Sequence, residues 1–243
     1  MANALKFYDP TNWKLNLTVS LGDGLSDIAG VYFDGFYFWT IHTTGMVNQY
    51  YLTNESTLSK VSSFDTSGML SDFYAGRCIT GDGLDLYVGL QDNVGSGGPP
   101  PVYTQTTYIV KVSKSGSKLS NAFAGLNSTS KFGWTDITFD GKDLYGFDDS
   151  LLKIKKINVY EEKIVFSTAA MPRTFYGIDF NGLFLYGMRN TGHGHTVDLD
   201  GIILTPQIAT TIVPYGLSFS NTGFKLPGID DFDGQWVVTT VRV

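Results

Sequence analysis

Three histidines, a scatter of aspartates and one cysteine carry most of the chemistry available to this chain. His193 and His195 stand two residues apart in "TGHGHT", so on an extended strand their imidazoles project to the same side. His42 would join them from elsewhere in the chain. Asp148, Asp149 or Asp198 would complete a nitrogen and oxygen donor set of the kind that holds zinc or another transition metal. A two-spaced pair in a glycine-rich loop is also how exposed histidines ordinarily occur, so neither a metal nor any other cofactor is assigned. Asp27, Asp136 and Asp179 form a second constellation. Paired carboxylates cleave glycosides when one protonates the leaving group and another attacks or activates water. Equally, each aspartate can accept backbone N–H groups at strand starts and turns, and no catalytic residue is assigned ahead of that role. Cys78 follows Arg77, whose charge would favour a thiolate, yet a single cysteine within an apolar strand is more simply a small hydrophobe.

These residues lie among short strands with a common punctuation. Asp34-Gly35, Asp82-Gly83, Asp140-Gly141, Asn181-Gly182 and Asp233-Gly234 each separate two apolar runs. They read as hairpins of type I′, in which both central residues take positive φ. Four residues beyond the Asp or Asn come Phe38, Leu86, Leu144, Leu185 and Val237, followed directly by Trp39, Tyr87, Tyr145, Tyr186 and Val238. Neighbouring strand residues point to opposite faces, so large apolar side chains at both positions predict sheets buried on both sides. The next residues, Thr40, Val88, Gly146, Gly187 and Thr239, are short and suit close approach of backbones. The turns recur at intervals of roughly 40–60 residues, and the widest interval contains the insertion "NVGSGGPPPVY".

Composition bounds the function. The 243 residues are 42% hydrophobic, 14% aromatic and 16% charged, enough for a sizeable core and unlike a disordered chain. A formal charge of −6 without a basic block excludes a nucleic-acid groove, which must neutralise phosphates. No apolar run is long enough to cross a membrane as a helix. One cysteine excludes an intrachain disulfide and a zinc site built on several thiolates. The first ten residues lack the basic and apolar regions of a secretory signal, so synthesis in the cytoplasm is expected, with later release as part of a virion or other extracellular assembly left open.

A period of about 45 residues holding four strands is the pattern of a propeller blade. On the motif [DN]-G-x-x-[FLV]-[WYV], the chain resembles the β-propeller superfamily. It is similar to short propeller repeats of bacterial surface proteins and of phage tail or capsid-associated proteins, without the Gly-His and Trp-Asp signature of the WD40 type or the kelch diglycine. The resemblance implies one all-β domain over 1–243, a five-bladed β-propeller of four-stranded antiparallel blades. The expected blades are 26–66, 75–127, 131–170 and 174–226, with 228–243 plus 3–21 as the last. In that last blade N-terminal strands pair with C-terminal strands and close the ring. A two-sheet sandwich, or two small all-β domains, is the alternative architecture.

In such a propeller the Asp-Gly turns share one face, and the loops joining second and third strands share the other. That second face carries His42, Asp92, Tyr103, Asp148, Asp149, Arg189, His193 and His195 as candidate binding residues, since loops on a rigid scaffold are the usual place for recognition. The expected function is a non-enzymatic binding and assembly module, a virion (tail, spike or capsid-associated) or surface accessory protein. Its partners would be other subunits of an assembly, with a host protein or glycan as receptor, and no nucleic acid or membrane insertion. The alternative is a lectin or glycoside hydrolase at the mouth of the channel, with Asp27, Asp136 and Asp179 as its acids and Tyr103, Trp134 or Tyr176 stacking on sugar.

Overall fold

The structure is a computed structural model. It describes residues 4–8, 15–21, 27–54, 57–96, 102–128, 133–172, 174–180, 184–189, 193–198, 202–203, 208–209, 214–220 and 235–240. Among these the chain is all-β, with one short 3-10 turn at Ser67–Met69, and its antiparallel sheets take a propeller-like arrangement.

Four blades are each built from consecutive strands. The first holds β3 (Ile28–Phe33), β4 (Phe38–His42), β5 (Met46–Asn54) and β6 (Thr57–Asp65). The second holds β7 (Phe73–Gly81), β8 (Asp85–Asp92), β10 (Val102–Ser113) and β11 (Phe123–Ser128), and β9 (Val94–Ser96) pairs with β10. The third runs β12 (Trp134–Phe139), β13 (Leu144–Asp148), β14 (Lys153–Asn158) and β15 (Lys163–Ser167). The fourth runs β16 (Gly177–Phe180), β17 (Leu185–Met188), β18 (His193–Val197) and β19 (Ile208–Ala209).

A further sheet gathers the chain ends in the order β2 (Leu15–Ser20), β1 (Ala4–Tyr8), β21 (Gln235–Thr240) and β20 (Pro214–Ser220). Its central pairing joins Leu5 to Thr239 and Phe7 to Val237. The strand Pro214–Ser220 pairs with β21, so it belongs to this sheet and not to the 174–226 unit expected from sequence. The Asp233-Gly234 motif was read as following the unit's first strand closely. That strand instead lies earlier, with residues 221–234 intervening. The sequence signal was present in "YGLSF" at 215–219, which parallels "YGIDF" at 176–180.

The second strands explain how the layers stack. Phe38 packs in a core with Leu5, Val19 and Val31, whereas its neighbour Trp39 packs with Ile79, Val88 and Val110 of the second blade. In the second blade Leu86 faces back toward Trp39, and Tyr87 faces forward to Trp134 and Ile137. In the third, Leu144 and Tyr145 divide in the same way between the preceding and following cores. Each of these three blades is thus apolar on both faces, and fully burying one such side chain contributes about 1.5–3 kcal/mol. The first strands β3, β7, β12 and β16 contact one another in chain order, and β20 contacts both β16 and β3.

The turns differ from the expected type. Phe33 pairs with Phe38, Gly81 with Leu86 and Phe139 with Leu144, so each connection spans four residues. Only the glycines Gly35, Gly83 and Gly141 take positive φ, at 94°, 91° and 97°, and the preceding aspartates do not. The carboxylate organises the turn. Asp34 Oδ1 accepts from the N–H groups of Phe36 and Tyr37 at 3.0 and 2.7 Å. Asp82 and Asp140 repeat these bonds. Loop amides need acceptors, and an Asp side chain supplies them without a two-residue turn. Asn181, Gly182, Asp233 and Gly234 lie outside the described residues.

Candidate functional site

At the loop end, the residues expected to face a ligand are largely turned inward. His42 is fully buried, 3.1 Å from Asn48 Nδ2 and 3.5 Å from Thr40 Oγ1. Its carbonyl lies against Gly76 of the second blade, where an added Cβ would come within 2.4 Å. Asp148 is buried, accepts from the N–H groups of Ser150 and Leu151, and pairs with Lys155 at 2.8 Å. Asp149 accepts from Gly133 N at 3.0 Å, and Asp92 from Thr106 N at 2.9 Å. Burial pushes the Asp92 carboxyl up despite the Thr106 bond. His195 is buried with its ring 5.9 Å from Phe175, and Arg189 is half-buried.

The side chains of Tyr103 and His193 lie outside the described residues. Sequence reasoning placed this set on open loops. The structure uses three of its aspartates, Asp92, Asp148 and Asp149, to satisfy backbone amides, for which water would otherwise be needed. His42 and His195 also fall in different blades, the first and the fourth. Among the described residues no group of three His, Cys, Asp or Glu comes together in a geometry suited to a metal ion.

A polar seam runs along the first strands. Asp136 is fully buried; its Oδ1 accepts from Ile137 N at 3.0 Å and its Oδ2 from Ile178 N of the fourth blade at 2.9 Å. Thr135 Oγ1 donates to the Phe175 carbonyl at 2.7 Å. Thr138 Oγ1 donates to Asp179 Oδ1 and accepts from Phe180 N. Of the carboxylates read as possible acids, Asp136 and Asp179 both belong to this seam and Asp27 takes no part in these bonds. Asp136 joins two blades, Asp179 bonds Thr138, and Asp27 is exposed with φ at 69°. Tyr32 reaches toward this seam from the first blade. Burial and the carboxylates of Asp34, Asp179 and Asp82 hold its phenol well above the usual range.

Cys78 is buried against Gly89. Burial, reinforced by Asp136, pushes its thiol well up, and Arg77 only partly opposes this. This is the setting of a buried small hydrophobe, in which the thiol form is favoured over a thiolate. Arg77 itself donates from Nε and Nη2 to Gln91 Oε1, and burial lowers its guanidinium pKa.

The turn end holds an arrangement that sequence reasoning missed. Asp34 and Asp82 are each joined to the aromatic residue five positions on and to a lysine, while in the third blade the lysine's partner is Asp143 and not the turn aspartate Asp140. Trp39 Nε1 and Lys114 Nζ both donate to Asp34 Oδ2, at 2.9 and 2.7 Å, and Lys114 also reaches the Gly83 carbonyl. Tyr87 Oη and Lys111 Nζ donate to Asp82 Oδ2 at 3.2 Å each. Lys156 pairs with Asp143 at 2.9 Å and lies over the Tyr145 ring, 5.4 Å from its centroid. Lys111 and Lys156 come from the strand facing the aromatic, directly across from Tyr87 and Tyr145 in register. In the first blade Gln49 occupies that place, and Lys114 crosses from the second blade instead. The available signal was therefore a third-strand lysine in register with the aromatic.

These contacts shift the ionisations. Burial raises the Asp34 carboxyl, but Lys114, the Tyr37 amide and Trp39 outweigh it and leave the group below its ordinary range. Asp82 is lowered in the same way, by the Asp85 and Leu84 amides and Lys111. Burial and Asp82 push the Tyr87 phenol up to about 12. Above this neutralised layer stand exposed apolar tips, Phe36 at 54%, Leu84 at 82% and Phe184 at 37% exposure.

The fold and these two ends place the protein in the class of all-β propeller-like proteins. No protein-family model matches the chain, and no curated protein matches it in sequence.

Proposed function

We propose that this chain is a non-enzymatic binding and assembly module of a virion or a cell surface, made in the cytoplasm and docked there on other protein subunits, with a host protein or glycan as its receptor. The observation that carries this reading is the use made of the carboxylates. A glycosidase needs one acid free to give up a proton and a second within about 5–10 Å across an open pocket. Asp136 instead spends both oxygens on backbone amides of two blades, and Asp148 and Asp149 cap a loop. Such a framework presents surfaces and holds them rigid, which suits recognition. The resemblance to phage and bacterial surface propellers, drawn from the repeat motif, points the same way.

We further infer that the blades form one closed five-membered ring with the chain ends as the fifth. Its support is the cyclic order of first-strand contacts, from β3 through β7, β12 and β16 to β20 and back to β3.

Affinity capture from a native extract, followed by reconstitution of the captured complex from purified components, tests the assembly reading. A stoichiometric complex is expected, and a protein that stays monomeric beside every captured candidate overturns it. Robust hydrolysis of any member of a broad glycan panel would replace it with the carbohydrate-active alternative. One observation favours a sugar-binding form of that alternative: the aromatic cluster at the turn end around Phe36.

A further inference from the structure

We infer that the loop joining β10 to β11 is a strap that fastens the second blade to the first, so that the first blade opens only together with the second. The loop is shaped by its own bonds before it reaches its neighbour. Ser113 N donates to the Ser117 carbonyl at 2.8 Å, and Gly116 N to the Ser113 carbonyl at 2.9 Å. Ser117 N donates to Ser113 Oγ at 2.9 Å. Gly116 takes a φ of 90°, which glycine adopts without strain. A segment closed in this way loses little freedom when it docks.

From this frame three residues reach across at separate points. Lys114 Nζ pairs with Asp34 Oδ2 at 2.7 Å in the first turn and lies 5.9 Å from the centroid of the Trp39 ring. The same ammonium holds its own blade through the Gly83 carbonyl at 2.8 Å. Gly116 lies against the outer strand β6, where an added Cβ would come within 2.7 Å of Phe64 Cβ and Cγ. Lys118 Nζ donates to the Met69 carbonyl at 2.9 Å, in the short turn that connects the two blades. Anchors at the inner turn, the outer strand and the connection hold the first blade across its width, where a single contact would let it pivot.

The use of lysine elsewhere sets this loop apart. Lys111, Lys155, Lys156 and Lys163 pair with acids of their own blades, whereas Lys114 pairs across a blade boundary. The Asp34 side chain is 4% exposed, so salt screens the pair less than a surface one, and the bond is charge-assisted. The same two blades share a backbone hydrogen bond, from Gly76 N to the Thr43 carbonyl at 3.0 Å. Their first strands approach until a Cβ on Gly30 would lie 3.0 Å from Cys78 Cα. The backbone bond resists sliding of one blade past the other, and the strap resists their splaying apart.

The test is native-state hydrogen exchange of the intact chain in low denaturant, read by mass spectrometry. In the parent, the slowest amides of β4 and β5 should share one opening with those of β7 and β8. Lys114→Met keeps an unbranched stem over Trp39 and removes the charge. It should separate the two sets, with β4 and β5 exchanging about tenfold or more faster than β7 and β8. Gly116→Ala, which drives a Cβ against Phe64, should produce the same separation without altering any charge. Lys156→Met breaks a pair inside the third blade and should leave the first two blades together. The inference is overturned if the parent blades already open separately. It is also overturned if Lys114→Met leaves them together, whether both unchanged or both faster, or if the acceleration stays within residues 34–39. A separation produced equally by Lys156→Met would overturn it as well, because loss of any such pair would then suffice.

Discussion

Asp34 accepts four hydrogen bonds, from two loop amides, the Trp39 indole and Lys114. Replacing it with alanine strands those donors, and Asp34→Ala should cost about 1–3 kcal/mol in chemical denaturation. Asp34→Asn, which keeps one carbonyl oxygen for the amides, should cost less. Asp136 is the more severe case because its partners are buried in two different blades. Asp136→Ala leaves the Ile137 and Ile178 amides without an acceptor and should cost about 2–5 kcal/mol. A melting temperature unchanged by that substitution would remove Asp136 from the seam.

Pairs of strands are held at distances that only glycine allows. An added Cβ at Gly146 would lie 2.5 Å from the Trp134 ring, and one at Gly187 would lie 2.7 Å from Phe175. The short residue expected for backbone approach therefore makes room for an aromatic ring from the blade's own first strand or from the residues just before it. In the second blade the short position is Val88, and one residue further on the close contact is sulfur, since a Cβ on Gly89 would come within 2.2 Å of Cys78 Sγ. Gly89→Ala should destabilise by about 1–3 kcal/mol. In the background of Cys78→Ala, where the sulfur is gone, the same change should cost less. A coupling of about 0.5–3 kcal/mol between contacting residues is the expected result of the double-mutant cycle, and strict additivity would show that the strands shift apart instead.

Over the whole molecule, ionisation bounds stability at both ends of the pH scale. Asp34 and Asp82 are depressed in the folded state, so their contribution is complete above the unfolded value of about 4 and is lost as pH falls through the folded values. Lys111 and Lys156 are raised, as is Tyr87 to about 12. Their contribution is complete below about pH 10 and is lost as pH rises through the folded values. Melting temperature against pH should therefore fall outside both limits, and between them Asp92 and Cys78, both raised by burial, add losses that begin as pH rises above about 4 and about 8.5. The pairing of β1 with β21 carries a separate prediction. A circular permutant that joins residue 243 to residue 1 through a short linker and opens the chain in the 97–101 insertion should keep a parent-like melting temperature, because β1 and β21 already share a sheet. A permutant that fails to fold would count against ring closure.

The all-β class, the Asp-Gly punctuation and the two-faced burial of the first three blades were legible in the sequence, because each is written in adjacent residues. Phe38-Trp39, Leu86-Tyr87 and Leu144-Tyr145 must point to opposite sides of a strand, and the structure sends each pair into successive cores. The turn type was not legible, since an aspartate that caps a four-residue loop and one that begins a two-residue turn share the same dipeptide. The place of Pro214–Ser220 was legible only through the likeness of "YGLSF" to "YGIDF", because the 14 residues 221–234 separate the strand from the turn motif that marks its partner. Which polar residues face outward was decided only in three dimensions. His42 and Asp148 sit in loop-like sequence, yet buried amides and a neighbouring lysine draw them inward. Sequence sets the alternation of a strand, but the partner of each polar atom comes from another blade, and that choice belongs to the tertiary fold.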